Sequence, residues 1–173
     1  MASIDISYTR LWFLTIDDDT SHLVKASDVA RTIDTNLLDP KGWKRFGYNF
    51  TQINPAYGLY LRLNKNNWKY VIHVRISMEE TIKGACGFGK LSCADMAKNI
   101  IYFNVNRWLY GSKESGLSLE DYKNYLIFHE WGHLLGRGHA TCSKNEDDPC
   151  PIMYQQTISK GCCRPNSYPL DGE

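Results

Sequence analysis

Histidines and a glutamate crowd one short stretch of the sequence, NYLIFHEWGHLLGRGHATC, which covers residues 124–142. The stretch holds three of the five histidines of the chain, His129, His133 and His139, and Glu130 directly follows the first of them. Imidazole nitrogens are good ligands for zinc, and three of them leave a tetrahedral ion with one open position. A water in that position becomes acidic, and a neighbouring carboxylate can accept its proton. These residue types therefore predict one catalytic Zn²⁺ with three histidine ligands and Glu130 as the general base.

The spacing of the histidines indicates which element would bring them together. The sequence is compatible with a helix over about residues 118–136. Residues four apart lie on one face of a helix, so His129 and His133 should face the same point. Gly136 suits the left-handed turn that ends many helices, and such a turn would let the chain return with His139 from another direction.

Patterns of apolar residues predict the elements around this helix. Five segments rich in aromatic and β-branched residues are typical of strands: SYTRLWFLTI, RFGYNFTQIN, GLYLRL, KYVIHVRIS and NIIYFNV. Apolar residues at spacings of three and four between Ala26 and Leu37 predict a helix that ends before Pro40, capped by the Asp and Ser residues of DDDTSHL. The last thirty residues, rich in Cys, Pro, Gly and Asn, predict an irregular segment. Together these elements favour an α+β fold in which helices cover a mixed twisted sheet.

Composition and charge restrict the class of protein. A chain of 173 residues with 43% hydrophobic and 23% charged residues has the size and content of one compact domain. The 20 basic and 19 acidic residues nearly balance, and no run of Lys and Arg offers a surface for a phosphate backbone, so we expect no nucleic-acid partner. No stretch has the roughly twenty apolar residues of a membrane span, and the start MASIDISYTR lacks the features of a signal peptide. We expect a monomer.

The histidine-rich stretch resembles the signature HExxHxxGxxH of the metzincin clan of zinc endopeptidases at every specified position. Members of that clan carry a methionine in a tight turn beneath the metal, and Met153 in CPIMYQQT, fourteen residues after His139, matches this Met-turn. From about Asp28 to the C-terminus the chain is also similar to an uncharacterised bacterial branch of metzincin-like proteins. The segments that carry this second resemblance are DPKGW, ACGFGKLSC, NVNRW, GHATC, PIMYQQT and GCCRPNSYP.

The metzincin resemblance implies a fold, an activity and a division of the chain. It implies a zincin-like fold that hydrolyses peptide bonds in a protein or peptide substrate. We predict one metallopeptidase domain over residues 1–173, with an N-terminal subdomain over residues 1–139 and a C-terminal subdomain with the Met-turn over residues 140–173. Two alternatives remain: a metzincin-fold binding module that no longer cleaves, and a zinc hydrolase of a non-peptide amide. The intact Glu130 argues against the inactive module.

The same resemblance implies how a substrate would bind. An extended peptide would lie antiparallel to the edge strand of the sheet, which the sequence places at NIIYFNV. The segment YQQTISKG, which follows Met153, would form the wall of the pocket just beyond the scissile bond. Some metzincins use a tyrosine two residues after the methionine as an extra metal ligand. Here Tyr154 follows Met153 directly and Gln155 occupies the second position, so we expect no tyrosine ligand.

Six cysteines leave two interpretations open. An even number, with four between residues 142 and 163, is typical of a disulfide framework and so of a secreted or extracytoplasmic protein. Some metzincin relatives instead bind a second, structural zinc through four cysteines, but adjacent cysteines rarely converge on one ion. Although six cysteines permit fifteen pairings, the resemblance favours Cys142 with Cys162. That choice leaves Cys150 with Cys163, and the short loop CGFGKLSC would close Cys86 with Cys93.

Overall fold

The computed structural model describes residues 9–63, 68–159 and 161–173. Its strands are β1 (Thr9–Ile16), β2 (Asn49–Gln52), β3 (Val71–Ser77), β4 (Cys93–Asp95) and β5 (Ile100–Asn104). Its α-helices are α1 (Ala26–Leu38), α2 (Pro55–Leu63), α3 (Glu79–Cys86), α4 (Val105–Tyr110) and α5 (Leu119–Leu134). Short 3-10 turns lie at Asp18–Thr20, Trp43–Phe46, Trp68–Tyr70 and Lys113–Ser115. None of the helices in these ranges has the length and apolar content needed to cross a bilayer.

The strands of the described residues form one mixed sheet in the order β2-β1-β3-β5-β4. β1 pairs in parallel with β2 and β3, and β3 pairs in parallel with β5. β4 runs antiparallel to β5 and forms one edge of the sheet. Parallel neighbours need crossover connections, which explains why helices separate these strands along the chain. The predicted α+β fold, a mixed sheet covered by helices, is confirmed.

Side chains on the two faces of the sheet build two apolar layers, because successive strand residues point to opposite sides. On one face Trp12 and Phe103 belong to the main core cluster, which also contains the apolar side of α1 and the buried apolar residues of α5. On the other face Phe13 packs so closely on α2 that a Cβ at Gly58 would overlap its ring. Ile82 of α3 lies in a smaller cluster on that same face.

From Tyr125 onward, helix α5 is buried on nearly every side because it lies between the sheet and the C-terminal region, which we define as residues 140–173. Toward the sheet, Trp131 packs edge-on against Trp12 with ring centroids 6.2 Å apart, and it contacts Phe103 at 6.3 Å. On another side Met153 lies directly against Gly132, where any Cβ would overlap its thioether. The helix that carries the histidines is therefore held from both sides.

The C-terminal region contains no helix or strand among its described residues. Two disulfides, Cys142–Cys162 and Cys150–Cys163, close its loops. Backbone hydrogen bonds from Cys150 N to Arg164 O (2.8 Å) and from Arg164 N to Asp148 O (2.7 Å) add a short ladder. A third disulfide, Cys86–Cys93, joins the end of α3 to β4, so all six cysteines, each within the described ranges, are paired. These are the pairings that the sequence analysis favoured, and the predicted irregular segment is present.

The edge-strand prediction is wrong. NIIYFNV forms β5, which lies inside the sheet with all five of its residues buried. The edge beside it is β4, a strand of only three residues that pairs with β5 from Cys93 opposite Tyr102 to Asp95 opposite Ile100. Three residues are too few to show the alternation by which strands are recognised in a sequence.

Two predictions of local structure are also wrong. GLYLRL belongs to helix α2 and not to a strand, because Asn54 accepts a hydrogen bond from Ala56 N (2.8 Å) and Pro55 suits the first turn of a helix. Helix α1 begins at Ala26 after Lys25 without a side-chain cap, while the acidic residues before it form a separate 3-10 turn.

Candidate metal centre

Helix α5 holds two of the predicted ligands and the predicted base in fixed relation. It covers Leu119–Leu134, within the predicted range. Ser118 caps its N-terminus, since the Ser118 hydroxyl accepts a hydrogen bond from Asp121 N (3.1 Å). His129 and His133 stand one turn apart with ring centroids separated by 4.9 Å. The local periodicity of the helix therefore brings both imidazoles to one place.

A Schellman motif turns the chain after α5 and returns the third histidine. Gly136 has φ of +87°, its N–H donates to His133 O (2.9 Å), and Arg137 N donates to Gly132 O (3.0 Å). Only a residue without a Cβ adopts this backbone conformation without strain. Past this turn, the ring of His139 lies 4.8 Å from that of His133, and the ligand atoms of the three histidines all lie within 4.8 Å of one another.

Hydrogen bonds fix which ring nitrogens face the shared point. His129 Nδ1 lies 2.8 Å from Ile152 O, and His133 Nδ1 lies 2.9 Å from Arg137 O. A carbonyl oxygen can only accept, so each Nδ1 must carry the proton, and Nε2 of the neutral ring keeps its lone pair. A metal-binding histidine commonly has its other nitrogen held in this way.

Burial keeps these rings neutral. It lowers the pKa of His129 to about 3, and the nearby His133 and His139 oppose protonation further. Burial also lowers the pKa of His133. Because only a neutral imidazole can bind a metal ion, His129 and His133 are ready for ligation at neutral pH.

The carboxyl group of Glu130 lies in the same cleft, almost fully buried at 4% exposure. Burial disfavours the charged form and raises the pKa of Glu130 to about 8. A cation bound by the three neighbouring histidines would favour the ionised carboxylate and lower this pKa again, so that Glu130 could accept a proton. This buried position beside the histidines is suited to a general base and is unlike that of a carboxylate in a surface ion pair.

The three nitrogens fit a zinc ion. Tetrahedral zinc with bonds of about 2.0 to 2.1 Å holds its nitrogen ligands roughly 3.3 Å apart, and the candidate ligand atoms of the three histidines lie within 4.8 Å of one another. Among the described residues, no cluster besides His129, His133 and His139 brings three potential ligand atoms together. This cluster provides three ligands from the described residues, so a tetrahedral zinc bound there would keep one position for a water.

Met153 lies in a tight turn below these ligands. Tyr154 N donates to Pro151 O (3.0 Å) and closes the turn, while Met153 O accepts from Ala140 N (3.0 Å), one residue after His139. The methionine side chain packs against α5. Its assignment as a Met-turn, which the metzincin resemblance implies, stays a prediction.

A cleft of about 200 Å³ opens beside the three histidines. Strand β4 and the segment after Met153 form its walls, and its lining residues are Phe88, Leu91, Ser92, Cys93, Ala94, Met96, Tyr125, Leu126, His129, Glu130, His133, His139, Gln155, Thr157 and Ile158. The segment after Met153 was predicted to line the pocket, whereas the rim formed by Phe88 and Leu91 was not predicted. The short spacing of Cys86 and Cys93, which ties this loop to β4, was the available signal.

Comparisons with known proteins place the chain in a family. No curated protein matches the sequence. Among solved structures, a zinc-dependent peptidase from Methanocorpusculum labreanum is 14% identical, with a TM-score of 0.48 over 93% of this chain and 96% of that chain. A family model described as "Protein of unknown function (DUF3152)" matches residues 15–170. Since this match covers most of the sequence, the chain belongs to the DUF3152 family.

Proposed function

We propose that the protein is a zinc-dependent endopeptidase of the metzincin type. One observation carries the proposal: the three imidazoles of His129, His133 and His139 converge in a cleft that also contains the buried carboxyl group of Glu130. The motif HExxHxxGxxH and the turn at Met153 add sequence support. The same site, with a fourth position left open, fits a catalytic zinc better than a closed structural one.

The chemistry divides between the ion and the chain. Bound zinc would supply Lewis acidity, lowering the pKa of a water in its open position and polarising the scissile carbonyl. Glu130 would accept the proton of the attacking water on its carboxylate and pass it to the departing amine. Hydrogen bonds from Nδ1 of His129 and His133 to backbone carbonyls would keep both rings oriented while charge develops. No covalent intermediate with the protein is needed.

Strand β4 would hold the substrate. As an edge strand that lines the cleft, it leaves one side of its backbone without a strand neighbour in the described sheet. An extended peptide can add to such an edge through main-chain hydrogen bonds, while side-chain pockets provide selectivity. Apart from Glu130 and the histidines, Tyr125 is the only described lining residue with an ionisable side chain, because Cys93 is bonded in a disulfide. We therefore expect preference for an uncharged, apolar side chain next to the scissile bond.

The cysteines support a proposal about location. Three disulfides are typical of proteins that act in an oxidising compartment, so we propose that the protein is secreted or extracytoplasmic. We propose that it acts there as a monomer, on protein or peptide substrates and without nucleic acid.

The test is cleavage of an unbiased peptide library by the protein supplied with one equivalent of zinc. We expect cleavage beside apolar residues, abolished by a chelator and restored by zinc. Glu130→Gln should retain zinc but lose at least about a hundredfold in rate, the usual scale for a missing general base. Near-normal cleavage by Glu130→Gln would contradict the assigned base.

Other outcomes separate the remaining hypotheses. Zinc binding without cleavage of any peptide would favour a binding module that keeps the fold. Hydrolysis of small non-peptide amides, with no cleavage of the peptide library, would favour a zinc hydrolase of a non-peptide amide. Failure to bind zinc would remove the basis for all catalytic interpretations.

A further inference from the structure

The carboxylate of Glu173 accepts three hydrogen bonds from backbone amides of the C-terminal region. Its Oε1 accepts from Met153 N (3.1 Å), and its Oε2 accepts from Ile152 N (2.9 Å) and Leu170 N (2.7 Å). Hydrogen bonds between an amide and an ionised carboxylate are roughly twice as strong as neutral ones. Glu173 itself is not among the residues that line the cleft, so a role in the reaction would have to pass through the residues that it contacts.

One of those contacts leads directly to a predicted zinc ligand. Met153 N and Ile152 O belong to the same peptide group, which is planar, with N–H and C=O pointing in opposite directions. The N–H end donates to Glu173, and the C=O end accepts from Nδ1 of His129 at 2.8 Å. Fixing one end of this rigid unit therefore fixes the orientation of the other, and with it the orientation of the His129 ring.

The charge of Glu173 also acts along this peptide group. A carboxylate at the N–H end draws electron density toward the carbonyl oxygen, and linked hydrogen bonds strengthen one another. A stronger acceptor at Ile152 O makes the His129 ring a better electron donor at Nε2, the nitrogen that faces the proposed ion.

A second connection joins Glu173 to the other helical ligand. Nη2 of Arg137 donates to the backbone oxygen of Glu173 at 3.0 Å, and the backbone oxygen of Arg137 accepts from Nδ1 of His133 at 2.9 Å. The Arg137 guanidinium is further held above the ring of Trp43, 4.4 Å from its centroid. Both carbonyl groups that orient histidine rings are thus tied to one residue.

We infer that Glu173 is a positioning residue for the zinc ligands His129 and His133, acting through the peptide group between Ile152 and Met153 and through Arg137. This inference rests on the proposed zinc site. It predicts that loss of the Glu173 carboxylate weakens zinc binding even where the protein stays folded, because the rings lose their fixed tautomer and direction.

The experiment compares Glu173→Ala with Asp171→Asn. Asp171 lies two residues away and carries the same charge, but its carboxylate is 98% exposed and pairs only with Arg45 among the described ion pairs. Zinc affinity is measured by competition with a chelator, and the ligand field by the absorption spectrum of the cobalt-substituted protein. Thermal unfolding of the metal-free proteins provides a separate measure of the fold.

We expect Glu173→Ala to bind zinc about 10-fold to 100-fold more weakly and to change the cobalt spectrum, as is usual when a group that orients a ligand is lost. Glu173→Gln keeps the shape of the side chain and one acceptor oxygen, so its loss of zinc affinity should be smaller than that of Glu173→Ala. Asp171→Asn should stay within about twofold of the parent protein, since a surface charge has little effect on a distant site.

The results distinguish this inference from the proposed function. If Glu173→Ala loses thermal stability but binds zinc with unchanged affinity and spectrum, Glu173 is only structural and the inference is wrong. Should Glu173→Ala not fold, the same criterion applies to Glu173→Gln. A parent protein that binds zinc without cleaving peptides leaves the inference standing while the proposed activity fails. A parent protein that binds no zinc overturns both.

Discussion

The sheet region, residues 9–139 as far as they are described, and the C-terminal region are stabilised by different means. The sheet region has strands, helices and an apolar core in which Trp12, Ile33 and Phe103 are fully buried. In the C-terminal region two disulfides and many hydrogen bonds between side chains and backbone replace regular structure. Asn166, for example, donates to the carbonyls of Cys150 and Tyr168 and accepts from Tyr168 N.

This difference matters because the candidate site requires both regions. His129, Glu130 and His133 come from the buried part of α5 in the sheet region, while Ile152 and Met153 belong to the C-terminal region. A short irregular segment has too little core to hold its shape by burial alone, so covalent bonds replace it. Each region should therefore respond to a different perturbation.

The largest expected effect follows from removing the central aromatic ring of the sheet region. Trp131→Ala should lower the free energy of unfolding by about 3 to 5 kcal/mol, since a large buried side chain leaves a cavity. Chemical denaturation measures the loss. The matched control is Tyr110→Ala, where a ring that is 79% exposed should cost less than about 0.5 kcal/mol. Equal losses for both variants would mean that the sheet region is not stabilised by burial.

The C-terminal region should respond most to the loss of a disulfide. Replacing both Cys142 and Cys162 by Ser opens a loop with a sequence separation of 20 residues, which should cost about 3 kcal/mol through greater freedom of the unfolded chain. Hydrogen exchange should show faster exchange in residues 140–173, with β1 and β3 still protected. Uniform loss of protection across the sheet would show that the two regions unfold as one unit.

A substitution where the regions meet should have a smaller effect on stability. Gly132→Ala places a Cβ against the Met153 thioether and should cost about 1 to 3 kcal/mol, as overpacking usually does. Gly84→Ala in α3 is the control, because nothing lies within 4 Å of the added methyl group. That variant should be stabilised by up to about 1 kcal/mol through reduced freedom of the unfolded chain. If Gly132→Ala and Gly84→Ala both stabilise the protein, the Met153 side chain moves aside at little cost. The two regions would then be loosely packed at this contact.

The smallest expected effect is the response of the sheet to acid. Burial, followed by Arg62 and Arg75, lowers the pKa of His73 to about 4 from an unperturbed 6.5. The unfolded chain therefore binds the proton more tightly, and stability present above pH 6.5 is lost as the pH falls toward 4. We expect a loss on the order of 1 to 2 kcal/mol from this residue, given partial screening by solvent.

The His73 contribution can be isolated by comparison with His73→Gln. Measuring unfolding free energy at several pH values for both proteins cancels the contributions of the other histidines. The parent protein should lose more stability than the variant between pH 6.5 and 4. Parallel profiles of unfolding free energy against pH would mean that the pKa of His73 is the same in the folded protein and in the unfolded chain.

Local patterns explain what the sequence predicted well. The spacing of His129 and His133 depends only on the period of a helix, and Gly136 ends that helix by a conformation that glycine favours. The α+β class follows in the same way from short-range alternation and from turn residues. Pairing of Cys142 with Cys162 came from a family resemblance, since spacing alone leaves many pairings open.

Features that depend on distant parts of the chain were missed. A short apolar run such as GLYLRL has no pattern that separates a strand from a helix, and here Asn54 and Pro55 stand at the start of helix α2. The edge position of β4 depends on the order of strands in the finished sheet. The contact between Glu173 and Met153 joins residues twenty positions apart through an irregular fold, which no periodic pattern can indicate.

The position of Trp43 gives the molecule an optical signal of its own. Its indole is fully buried, donates to Phe128 O on α5 at 2.9 Å, and borders the same small space beside Gly132 that Met153 fills. Indole fluorescence depends on the polarity and the quenching groups around the ring. Separation of the two regions should therefore change the wavelength and the intensity of the Trp43 emission. Subtracting the emission spectrum of Trp43→Phe from that of the parent protein isolates the Trp43 signal. This signal would report whether the C-terminal region is packed against α5, without any attached dye.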